Sequence, residues 1–416
     1  MYHFGHVLRY LGRPLHVIEP CVGLGGFREF CRLPEVSYHS SGAFDFHPSF
    51  QGFYDNVNQG TSTPEAKGLR LGPVDGDVMG LPIEELQDAE LLLSGPPCQP
   101  FAEGGRHGGA DDPRSEVYET VVGWVIELAW RGVLVMFLIE NSCNMKSYAF
   151  FWEMFRRLAS CIPFFAIDVV ELDLADIYPH RRRRMWLRGM RRDACGHSSL
   201  PQPLGRADMQ APLGACPTLL DVLLPGCPNV GPGDLSTDRL RDNMSAYTAT
   251  IIEDREKGIT GTIAVVELDR SPKKVYGTKV MYDVTPPLRC TGPSIFLFSV
   301  DDIDLELTKR KVHRFLLDEE RFALQGHSYK YHGHFKSQRA SRASTGNAYP
   351  VPMLVSVMQP MLSQAVRSGA LSKKGKVVKC LDELISLVPG EGIVGDAFDE
   401  LDELGRPTKK AKRQRK

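Results

Sequence analysis

The sequence predicts an α/β protein built on a doubly wound, mostly parallel sheet, with a smaller and irregular second domain later in the chain. Three observations carry this. Short apolar runs alternate with helical patterns from about residue 15 to 190, glycines follow directly on the first run, and the texture of the chain changes near residue 190. Strands alternating with helices make parallel sheets covered on both faces.

The elements follow in order. LHVIEP is strand-like and leads into the glycine turn GLGG, with a helix from about Phe27. VSYHSSGAFDF, LLLSG, VLVMFLIE, FFAIDVVELDL and RMWLRGM read as further strands. Beyond 190, PQPLGRADMQAPLGACPT is loop-like, and TGTIAVVELDR, KKVYGTKVMYDV and SIFLFSV alternate like half-exposed strands. From 312, VHRFLLDEERFALQG and PMLVSVMQPMLSQAVRSG read as helices. The expected division is 1–189 for the first domain, 190–311 for the second, 312–368 for a return to the first, and 369–416 for a polar tail.

Composition bounds the possibilities. The 416 residues are 42% hydrophobic and 24% charged, with a net charge of −1, as in ordinary soluble globular proteins. Without a global basic field, a polyanionic partner has to be held by local charge. The ten cysteines include no C-x-x-C and the histidines no finger-like spacing, so no metal is expected. MYHFGHVLRYLGRPL lacks the pattern of a signal peptide. The most apolar stretch, VVGWVIELAWRGVLVMFLIE, is interrupted by Glu127 and Arg131, so it reads as a helix running into a strand and no membrane span is expected.

Ligands of such sheets bind at the carboxyl ends of the strands. Cys21-Val-Gly23-Leu-Gly25-Gly26 stands at the first of these ends, where glycines permit a tight turn and close approach of a ligand. Asp45, 19 residues past Gly26, closes the next strand and can accept hydrogen bonds from ribose hydroxyls; Asp77 follows another short strand. Each acid alone reads as solvated surface. Three successive strand ends carrying glycines, an acid and an acid are better explained by a nucleoside cofactor.

SGPPCQPF, residues 94–101, sets the lone Cys98 behind Pro96-Pro97, which lack backbone donors and stiffen the loop. A thiol needs a lowered pKa or a base to act as a nucleophile. The next strand ends in Glu140-Asn141, and the one after leads into Tyr178-Pro-His-Arg-Arg-Arg-Arg184. A buried cysteine, a capping glutamate and a solvated basic turn are the bland alternatives for each alone. Together, in this order, a thiol, a carboxyl and a guanidinium cluster at one rim favour a site.

The same residues resemble, in the same order, the motifs of the S-adenosylmethionine-dependent cytosine C5-methyltransferases. CVGLGGF, AFDFHP and GDV resemble the cofactor motifs; GPPCQPF with a downstream DDPR the nucleophile loop; and FLIENS and PHRRRRMWLRG the Glu-Asn and Gln-x-Arg-x-Arg motifs. RFLLDEERFALQGH and TGNAYPVPM resemble the last two, so that the likeness runs from about 15 to 368.

The resemblance implies a Rossmann-like class I methyltransferase fold and transfer of a methyl group to C5 of a flipped cytosine in DNA, through a covalent adduct on Cys98. By it, Glu140 binds the N3/N4 edge of the base, and Arg182 and Arg184 hold its O2 and the substrate backbone. Cys21, Gly23, Gly25 and Gly26 shape the cofactor turn; Asp45 and Phe46 take the ribose and adenine; Asp77 and Val78 the adenine; Pro97 and Asn347 further parts. Residues 103–109 would be a mobile lid, 190–311 the target-recognition domain, and the helix after Met353 would return beside the glycine turn. A monomer is expected.

The chain departs from the family pattern at Cys21, usually aromatic, at His180, usually glutamine, at Ser142, and at LLDEER. The family's Thr-aliphatic pair near the end of the recognition segment finds its nearest match in Pro287-Leu288. The tRNA-methylating branch shares the catalytic motifs but usually carries Cys-Phe-Thr, where this chain has Cys216-Pro-Thr and Cys290-Thr-Gly. A catalytically silent relative is the remaining alternative. KKAKRQRK, six basic residues in eight, points to the nucleus, with the cytoplasm as the other possibility.

Overall fold

A computed structural model describes residues 13–32, 38–47, 49–57, 69–102, 108–161, 164–195, 199–213, 216–273, 279–289 and 295–371. Most of the expected lid (103–107), Cys290 and the basic C-terminal cluster lie outside the described residues.

Seven strands make the first sheet: β1 (Leu15–Pro20), β2 (Tyr38–Asp45), β3 (Leu69–Leu71), β4 (Leu91–Ser94), β5 (Met136–Asn141), β6 (Phe165–Asp173) and β7 (Arg183–Arg191). Their spatial order is β3-β2-β1-β4-β5-β7-β6. The first five run parallel, and β7 lies antiparallel between β5 and β6. The chain works outward from β1 to β3, then restarts at β4 on the other side of β1. That reversal opens a crevice between the ends of β1 and β4. The glycine turn follows β1, and the Pro-Pro-Cys loop follows β4.

The central strands β4 and β5 are buried at every position, as expected where helices cover both faces. On one face, α1 (Gly26–Arg32) and the long C-terminal helix Val351–Arg367 pack over Leu91, Leu93 and Leu138. On the other, Ser115–Trp130 and Ala149–Cys161 pack over Leu92, Phe137 and Ile139. Pro352 in the first turn of Val351–Arg367 suits a helix start, where a missing N–H leaves no bond unmade.

The second sheet contains β8 (Ile263–Glu267), β9 (Met281–Tyr282), β10 (Ile295–Ser299) and β11 (His313–Phe315), in the order β11-β10-β8-β9. Two expectations are corrected here. β8 and β10 are buried throughout instead of half exposed, because both sides of this sheet are covered. Met244, Tyr247 and Ile251 of the helix Asp238–Glu256 pack on Val266, Phe296 and Phe298. Leu219, Val222 and Leu324 pack on Ile263, Val265 and Leu297.

Contacts of the first core extend past residue 190. Leu200, Met209 and Cys216 belong to the first core, and the Leu204 backbone exchanges hydrogen bonds with Ser356 at 2.9 and 2.6 Å. His313–Phe315, expected at the start of a helix, pairs with β10 instead. The helix there is only Asp318–Ala323. No helix of the described residues is long and apolar enough to cross a membrane.

His327, just past that helix, is 4% exposed. Burial lowers its pKa from the usual 6.5 to about 4, with Glu29 opposing and Arg28 adding. Between those values the unfolded chain binds a proton that the folded chain refuses, so stability falls as pH drops through this window. The group's share is on the order of 3 kcal/mol. His327→Gln is expected to lose less Tm between pH 7 and 4.5 than the parent; parallel losses in the two proteins would refute this assignment.

Candidate active site

One rim of the crevice is built from the ends of β1, β2 and β3. Cys21, Gly23 and Gly25 all have positive φ (60°, 53° and 72°), so the chain turns sharply as it leaves β1. Asp45, at the end of β2, accepts hydrogen bonds from the backbone N–H groups of Gly23 and His47, both at 2.9 Å. Burial raises the pKa of this carboxyl and the two N–H groups oppose it. Phe46 follows with 57% of its surface exposed, unusual for a phenylalanine and suited to stacking on a flat ligand. Asp77 caps the next short turn through Met79 N at 3.0 Å, with Val78 buried behind it. A Cβ at Gly23 would meet open space, whereas one at Gly26 would lie 2.0 Å from Cε2 of Tyr349. The turn is therefore open toward the crevice and closed from behind.

The chemical rim lies across the crevice. Ser94 Oγ donates to Pro20 O at 2.6 Å, joining the ends of β4 and β1. Pro96 O accepts from Asn141 Nδ2 at 3.4 Å, and Cys98 O accepts from Phe101 N and Ala102 N at 3.0 and 2.8 Å. Phe101 is fully buried beside Tyr148 and Phe150, and its carbonyl accepts from Asn144 Nδ2 at 2.7 Å. The loop is pinned on both sides of Cys98, which stays half-buried. Gln99 Nε2 donates to Asn347 Oδ1 at 3.1 Å, so the loop after Cys98 is tied to the segment that carries Asn347.

Glu140, 4% exposed at the end of β5, forms an ion pair with Arg184 at 2.7 Å. The pairing explains this: Glu140 stands opposite Trp186 in the β5–β7 ladder, and Arg184, two residues earlier, is its diagonal neighbour on the same face. Arg184 and Arg114 both lie near Cys98. Arg114 is itself held by Asp112 at 2.6 Å. Two neighbouring thiols are kept protonated: burial, then Asp45, pushes Cys21 far up, and burial, then Glu171, pushes Cys143 up to about 12.

Arg182 lies deeper than Arg184. It is 2% exposed, and its Nη1 donates inward to Gly346 O at 3.0 Å. Leu288, the nearest match to the family's aliphatic residue, is buried in the core of the second sheet. Two features went unread in the sequence. Tyr349 fills the space between Gly26 and Gly95, and His180 joins the second unit through Thr285. Both positions stand inside recognised motifs, at residues whose partners are far away in sequence.

The profile of the C-5 cytosine-specific DNA methylases matches residues 16–363. The chain belongs to that family. Among curated relatives, it is similar to the Type II methyltransferase M.MthTI of Methanothermobacter thermautotrophicus, with 30% identity over 132 residues, 30% of this chain and 39% of that protein. Its likeness to M.BsuFI of Bacillus subtilis is 26% over 147 residues, 34% of each chain. The chain thus spans well under half the length of these relatives. Among solved structures, the S. pombe Dnmt2 methyltransferase matches with a TM-score of 0.51 and 15% identity, over 84% of this chain and 98% of that one. A Spodoptera frugiperda DNMT2 variant matches with 0.51 and 14%, over 83% and 99%. At such identities these structures speak for the methylase fold alone.

The Tyr349 ring sets a limit on the cofactor turn. Gly26→Ala is expected to lower stability by about 1–3 kcal/mol through overpacking, read as a drop in Tm. Measured in a Tyr349→Val background, which carries its own cost for the lost ring, Gly26→Ala should cost less than it does in the parent. A single variant that melts with the parent would mean the ring does not close on the turn.

Proposed function

We propose that this protein is a DNA cytosine C5-methyltransferase that uses S-adenosylmethionine. The observation that carries the reading is a half-buried Cys98 on a pinned loop at one strand end, with the Glu140–Arg184 pair at the next. The cofactor's fit is supported by the open face of the turn at Gly23, the anchored Asp45 carboxylate and the exposed Phe46 ring. That cofactor supplies an electrophilic methyl group on a sulfonium.

The chain's own residues account for the rest. The Cys98 thiolate adds to C6 of the cytosine, and the displaced electron pair makes C5 nucleophilic. Glu140, oriented by Arg184, hydrogen-bonds the N3/N4 edge and stabilises the ring as its electrons shift. Arg182 acts from behind, as a tie between the arginine segment and Gly346. After C5 has taken the methyl group its proton passes to water, the C–H pair re-forms the C5–C6 double bond, and the C6–S bond breaks to return Cys98 as the thiolate. Pro96 and Pro97 hold the nucleophile at a constant place through these steps.

Cys98→Ala is expected to abolish transfer of labelled methyl to DNA, a loss on the order of 10³-fold or more. It should also abolish the covalent adduct with 5-fluorocytosine DNA. Glu140→Gln should cost roughly 10²-fold. Label on tRNA and none on DNA would move the substrate to RNA. No adduct with either nucleic acid would defeat the reading and leave a silent, binding role.

A further inference from the structure

The family's glutamine is replaced in this chain by His180, a fully buried side chain that the proposed chemistry does not use. Its contacts form one chain. His180 Nδ1 lies 2.9 Å from Thr285 Oγ1, which is itself 3.3 Å from Pro179 O. On its other side, His180 Nε2 lies 3.4 Å from the Gln325 amide nitrogen, so a neutral imidazole donates at one end of the chain and accepts at the other. The same amide donates to Thr345 O at 3.1 Å. Backbone bonds reinforce the joint: Arg181 N to Thr285 O at 2.8 Å and Thr285 N to Pro179 O at 3.1 Å. His180, Thr285 and Gln325 are each 0% exposed.

This relay spans three parts of the molecule. Thr345 precedes Gly346 and Asn347 at the cofactor side. His180 stands two and four residues before Arg182 and Arg184. Thr285 follows β9 of the second sheet. Only a side chain that donates at one end and accepts at the other can complete such a chain. A neutral imidazole does so, and a glutamine amide can do so as well; a leucine cannot.

We infer that His180 is a positioning residue, which joins the second domain to the arginine segment and so sets Arg184 against Glu140 when the target is engaged. The inference rests on the proposed methyl transfer. It treats the second domain as the part that holds the target, with His180 coupling that hold to the chemistry.

The test is a double-mutant cycle on kcat/KM for methyl transfer to DNA, with His180→Leu, Thr285→Val and their combination, and with His180→Gln as the conservative variant. Melting temperature and binding of S-adenosylhomocysteine are measured on each protein. His180→Leu and Thr285→Val are each expected to lower kcat/KM by roughly 10- to 50-fold, and the pair by no more than the worse single change. His180→Gln should stay within about threefold of the parent, and S-adenosylhomocysteine affinity should be unchanged throughout. Additive losses, a His180→Gln variant as poor as His180→Leu, or losses that follow melting temperature alone would overturn the inference and leave the methyltransferase reading standing. A parent protein that transfers no methyl group to nucleic acid would overturn both.

Discussion

The ion pair between Arg184 and Glu140 is the constraint on which the rest of the site depends. Both groups are largely shielded from water, and a buried charge without a partner is costly enough that neither can be placed there alone. The pair exists because β7 runs antiparallel to β5, so that the start of one strand meets the end of the other. A parallel β7 would carry the arginines to the opposite edge of the sheet. The single reversed strand is thus what brings the basic segment to the rim where β1, β4 and β5 end.

Around that pair the crevice is closed by short, local ties. Ser94 binds β4 to the carbonyl of Pro20, Asn141 holds the Pro96 carbonyl, and Asn144 holds the Phe101 carbonyl. Each secures backbone, leaving the Cys98 side chain at the surface of the crevice. Tyr349 supplies the shared wall. Its ring fits only because residues 26 and 95, one on each rim, are glycines. The glycine turn and the loop after β4 are spaced by one aromatic side chain that is distant from both in sequence.

The second unit is joined to this frame by buried charge and hydrogen bonds as well as by apolar contact. Arg314 and Glu320 pair without exposure to solvent, and Glu320 also accepts from the Leu224 backbone at 2.7 Å. Glu267 holds Arg289, whose carbonyl accepts from Arg321 at 2.9 Å. Such contacts specify one docking geometry, because a shifted geometry would leave charges unpaired.

Much of the first sheet was legible because its strands are short apolar runs bounded by glycine, proline or acid, and a covered parallel sheet needs little else. The second sheet read less well: its alternation suggested one wet face, but two separate clusters cover it, and His313–Phe315 looked helical until β10 offered it a partner. The sequence by itself determined which residues stand at the strand ends: the glycine turn, Asp45, Cys98, Glu140 and the arginine segment follow or precede short apolar runs, and such boundaries are local features. Only the tertiary structure decided which arginine meets Glu140, that Arg182 turns inward to Gly346, and that Tyr349 and His180 join distant parts. Those outcomes depend on register and on contacts between residues as much as 323 positions apart, as Tyr349 and Gly26 are. Local periodicity carries no information about such distances.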